Sequence, residues 1–144
     1  MITDPTNVPT GDRRPLLVLL PPPQPTTVPN VLLAAARLLQ MNGFWQHDYL
    51  PDPFDRTLKT PHASRPMSMV AAIRCAATGD PHRTSQLADT AIGFVALSID
   101  GGPYDPNLLS LERHVDAWGD EPGRTVDEAV ALLEQLATAP ERAA

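Results

Sequence analysis

Cysteine, lysine, aromatic residues and long apolar runs are all scarce in this chain of 144 residues, and each shortage removes a class of protein. The single Cys75 can form no intrachain disulfide and no zinc site built from several cysteines, which favours a reducing, cytoplasmic setting. Aromatic residues at 5% leave few platforms on which nucleic-acid bases could stack. Positive charge is short as well: one lysine and ten arginines stand against 17 acidic residues, for a formal charge of -6 and a pI near 5.0. That balance opposes the basic footprint needed to neutralise phosphates and argues against nucleic acid as a partner. The longest apolar run is Leu16 to Leu20, fenced by Pro15 and Pro21, far below the roughly 20 residues of a membrane helix. Arg13-Arg14 ahead of it make a poor export signal, because three prolines follow and no small-residue cleavage site does.

What is present is a helical pattern preceded by proline. Eight prolines fall in the first 29 residues, and Pro21-Pro22-Pro23-Gln24-Pro25 reads as an extended polyproline II segment. The chain therefore divides into a Pro-rich extended arm over residues 1–27, a helical domain over 28–139 and a disordered tail over 140–144. A first helix starts around Val28 or Pro29, capped by Thr27 or Asn30, and stops at Gly43. Prolines 51, 53, 61 and 66 turn Phe44 to Pro66 into a long loop with a short extended piece over Phe44 to Leu50. Ser64 or Ser68 caps a second helix that buries Met69, Val70 and Ile73 and stops at Gly79. The third is capped by Asp80 or Thr84 and ends at Gly101-Gly102, and Asp105-Pro106 opens a fourth. The fifth starts with a capping box at Thr125-Val126-Asp127-Glu128. The fold expected is mostly α, a small bundle of about five helices with an extended arm, packed around Leu32, Leu39, Ile73, Ile92, Val95, Trp118, Val130 and Leu133.

No catalytic constellation stands out. His47, Asp48, Asp52, Asp55 and His62 share the long loop, yet their spacing matches neither a calcium loop nor a pair of imidazoles on one helix face, so no metal site and no cofactor is assigned. Cys75 lies inside an Ala-rich helix, the position of a buried, inert thiol. The segment Trp118-Gly119-Asp120-Glu121-Pro122-Gly123-Arg124-Thr125 reads as a structural corner in which Pro-Gly turns the chain, Thr125 caps and Asp120 pairs with Arg124. Arg124 and Thr125 are its candidates for binding an anion at a helix start. Candidates for contact with a protein partner are Leu16, Leu17 and Leu19 of the arm together with Trp45, His47 and Tyr49.

The same segment, with Glu128 and the following Ala-Val-Ala-Leu-Leu, resembles the Trp-Asn-Asp-x-Pro-Gly-Arg-Thr signature that closes an uncharacterised family of actinobacterial and phage proteins. Leu32 to Gln46 looks like the opening helix of that family, and Arg65 to Ile73 like its Pro-x-Cys-x-x-Gly-Ala-Ile helix. Three positions depart from the pattern: Ser68 replaces Cys, Ala71 replaces Gly and Gly119 replaces Asn. The resemblance implies a small helical fold and supplies no activity. The expected function is a non-enzymatic protein-binding or regulatory module, possessing a protein partner or self-association through the N-terminal arm and no membrane contact. The alternative is a small hydrolase or metal-dependent enzyme using polar residues of the 44–66 loop.

Overall fold

Thr27 sits in extended backbone and its hydroxyl accepts the Asn30 N–H, while Pro29 occupies the first turn, where its missing donor costs nothing. Helix α1 (Val28–Asn42) follows and closes at Gly43, whose φ of 106° suits a residue with no side chain and whose N–H reaches the Leu39 carbonyl. The computed structural model describes residues 24–46, 64–100, 102–103 and 107–139. The inward face of α1 is Val31, Leu32, Ala35, Ala36 and Leu39, all buried.

Past Gly43 the backbone meets the chain returning from the long loop. Trp45 N–H donates to the Met67 carbonyl at 3.0 Å, and Met67 N–H to the Gly43 carbonyl at 3.3 Å. The result is one isolated parallel bridge between Phe44 and Met67. The extended piece foreseen here is thus, among the described residues, a single bridge with no strand around it.

Ser68 then caps α2 (Met69–Thr78) through a bond from the Ala71 N–H to its hydroxyl, which settles the choice between Ser64 and Ser68. Seven of the ten residues of α2 are buried, so the expected one-sided stripe is instead a nearly complete apolar girdle. Small side chains at Ala71, Ala72 and Ala76 let α1 and later helices pack close around it. Gly79 ends the helix in a left-handed conformation with φ 89°.

Helix α3 (Gln86–Ser98) starts later than the sequence suggests. Asp80 is used in a turn: its carboxylate accepts the His82 N–H at 2.9 Å and its carbonyl the Arg83 N–H at 3.0 Å. Thr84 is occupied too, its hydroxyl donating to the Asp89 carboxylate, and Ser85 takes the cap. Helix α4 (Leu108–Gly119) is capped by Asn107, whereas Asp105-Pro106 and Gly101 lie outside the described residues. The capping box of α5 (Val126–Ala137) is present in both directions. Helix α1 packs against α5, α2 and α3, while α4 packs against α3 and α2. Of the eight expected core residues seven are fully or almost fully buried. Trp118 is the correction: it lies half-buried at the edge of the core, with Arg124 over one face of its ring.

Candidate functional site

Because α4 and α5 are joined by only six residues, Asp120 to Thr125, the chain must turn sharply, and Gly123 with φ 85° allows it. The turn carries Arg124 back over α4. Its guanidinium carbon stands 3.7 Å from the centre of the Trp118 ring, and its Nε donates to the Trp118 carbonyl at 2.9 Å. The remaining two nitrogens face Glu121 at 3.7 Å and Glu128 at 3.9 Å. These carboxylates, where the sequence suggested Asp120, balance the arginine. Thr125 spends its hydroxyl on the Glu128 amide. The two residues nominated for an anion are therefore engaged inside the corner, and Asp127 adds further negative charge beside them.

A second chain segment locks onto the same corner. The side-chain amide of Gln46 donates to the carbonyl of Gly119, the last residue of α4, at 2.9 Å and to the Glu121 carbonyl in the turn at 3.1 Å. The Phe44 ring packs on Gly119, where a Cβ would come within 3.3 Å of it. Gly119 thus stands at a place where this chain puts an aromatic ring. A cavity of about 390 Å³ opens between this tether and the first turn of α5, with Gln40, Gln46 and Arg124 on its walls. Sequence reading did not find the role of Gln46; a lone glutamine after an aromatic pair carries no pattern, and its acceptors are more than 70 residues away.

Between the two pinned points Trp45 remains 39% exposed, and Met41 on the last turn of α1 is 76% exposed. Trp45 is the nominated partner-binding residue that the structure places at an accessible surface. Leu16, Leu17, Leu19, His47 and Tyr49 lie outside the described residues, as do Asp48, Asp52, Asp55 and His62. Among the described residues no group of three His, Cys, Asp or Glu side chains converges as metal ligands would. No helix there is long and apolar enough to cross a membrane.

Among the described residues two titratable groups are perturbed. Burial, then the negative charge of Asp80, pushes the Cys75 thiol above its ordinary value, which keeps it protonated and a poor nucleophile. Asp116 of α4 is pushed up to about 6, chiefly by burial and then by Asp120 and Glu112, with Arg74 acting in the opposite sense. Glu112, Asp116 and Asp120 recur every four residues on one helix face, and Arg74 from α2 bonds Glu112 there. Ser68 is a buried helix cap.

A groove of about 660 Å³ opens between α1 and the end of α2. Leu33, Ala34 and Arg37 form one wall, Cys75 and Ala76 the other, and the last described residues of the arm, Gln24 to Thr26, border it.

A five-helix bundle with a locked corner and an open groove defines, over the described residues, a small mostly-α domain. The chain belongs to a family of unknown function, DUF6197, whose family model matches residues 23–139. No curated protein matches the chain, and no solved structure does.

Proposed function

We propose that this protein is a non-enzymatic protein-binding or regulatory module, of actinobacterial or phage origin, acting in the cytoplasm. It engages its partner through the N-terminal arm and through the apolar surface where α1 ends. The observation that carries the reading is Trp45, an exposed aromatic on a backbone fixed at both sides, by the bridge to Met67 and by the Gln46 amide. A large side chain already ordered before binding loses little entropy on contact, which is why rigid aromatics dominate protein interfaces. Met41 extends the same apolar edge.

The test is capture from a native host extract by the full chain and by Trp45→Ala, with mass spectrometry and melting curves. A protein recovered in near-stoichiometric amount by the wild type, and lost with Trp45→Ala at unchanged melting temperature, is the expected result. Equal recovery by both chains would remove Trp45 from the binding surface and the reading with it.

A further inference from the structure

The cavity of about 390 Å³ between the end of α1 and the start of α5 has a lining of two kinds. Leu39, Phe44 and Val126 make part of it apolar, and Gln40, Gln46, Arg124 and Asp127 supply the polar groups. Its volume is that of roughly a dozen waters, room for one long side chain.

The polar groups differ in what they have left to offer. Both hydrogens of the Gln46 amide nitrogen are spent, on the Gly119 and Glu121 carbonyls, so what remains is Oε1, an acceptor. Arg124 is stacked on Trp118, bonded through Nε and faced by Glu121 and Glu128. Those two carboxylates already outnumber the one guanidinium, and Asp127 adds a third to the cavity wall. Asp127 is exposed and, among the described residues, has no ionic partner. The positive end of α5 is met from within the chain as well, because Asp127 and Glu128 sit in its first turn. An anion entering here meets surplus negative charge, whereas a cation meets free acceptors. A cation on an aliphatic stem fits both kinds of lining, with the stem against Leu39, Phe44 and Val126 and the head at Asp127 and the Gln46 Oε1.

We propose that this cavity receives an arginine or lysine side chain of the protein partner. The proposal rests on the reading of Trp45 as a binding residue and names the chemistry of the contact beside it. Phe44 and Gln46 of the lining flank Trp45 in the chain, so one partner segment sets its basic residue in the cavity and an apolar neighbour on Trp45. The formal charge of -6 draws such a segment toward the chain.

The test titrates the isotope-labelled full chain with acetyl-Leu-Arg-Leu-amide, with the same peptide carrying neutral citrulline for arginine, and with the same peptide carrying glutamate. The arginine peptide should shift the side-chain amide signals of Gln40 and Gln46 together with the Trp45 indole, and bind about tenfold more tightly than the citrulline peptide. Added salt should narrow that difference, and Asp127→Asn should remove most of it with the circular-dichroism spectrum retained. Equal affinity for the citrulline peptide would overturn the cationic occupant and leave Trp45 a binding residue. Preference for the glutamate peptide would overturn it in favour of an anion at Arg124. Spermidine acting on Gln40 and Gln46 at lower concentration than the arginine peptide would overturn it in favour of a free polyamine. No shift of Gln40 or Gln46 with any probe at several millimolar would remove the cavity as a site, while the capture experiment with Trp45→Ala decides the reading of Trp45 separately.

Discussion

Arg124 shows how one side chain can explain a whole motif. Its stack on Trp118, its bond to the Trp118 carbonyl and its two carboxylate neighbours tie the end of α4 to the turn and the start of α5. The partly exposed ion pairs contribute little, whereas the stack and the charge-assisted bond each contribute roughly 1 kcal/mol or more. Arg124→Ala should therefore lower stability by about 2 kcal/mol in urea unfolding, and Arg124→Lys should recover little of it, because an ammonium lacks the planar face and the Nε donor. Trp118→Ala should be felt at the same joint, less than for a fully enclosed tryptophan. Asp116 gives a prediction of opposite character. Its folded value of about 6 lies above the roughly 3.9 of an unfolded aspartate, so the native state binds the extra proton between those limits. By linkage this carboxyl favours folding below about pH 4 and loses that advantage as pH rises to about 6. Asp116→Asn should gain about 1 to 2 kcal/mol at pH 7, after allowance for partial exposure, and show a flatter stability profile from pH 4 to 6. An unchanged profile would place the burden on other groups.

At the scale of elements, the helix starts divide by burial. The five caps are Thr27, Ser68, Ser85, Asn107 and Thr125, and each accepts the amide three residues on. Ser68 alone among them is buried, so its loss strands the Ala71 N–H away from water. Ser68→Ala should cost about 2 kcal/mol against about 1 kcal/mol for Thr125→Ala, compared by thermal unfolding. The sequence placed Thr27, Thr125 and Gly43 well because each signal is local. It placed the start of α3 too early because Asp80 has equal local claims as a cap and as a turn residue. Thr78 decides between them: its hydroxyl accepts the Asp80 N–H at 3.1 Å and stabilises the turn.

Across the molecule the helices are unequal partners. Helix α2 is buried on nearly every side, whereas α4 buries only Val115 and Gly119. Native-state hydrogen exchange should accordingly be slowest in α2 and in the inward half of α1, and faster through α4, whose opening exposes little apolar surface. Equal protection in α2 and α4 would show that the bundle opens only as a unit. The number and order of the helices, the caps Thr27, Ser68 and Thr125 and most of the core were determined by the sequence itself, since periodicity and capping act over three or four residues. Tertiary structure alone decided that Gln46 ties the loop entrance to the corner, that Arg124 covers Trp118 where it packs at the edge of the core, and that Asp116 sits among like charges beside Arg74. Each of these joins side chains from separate elements, and such meetings depend on how helices pack, which no local spacing encodes.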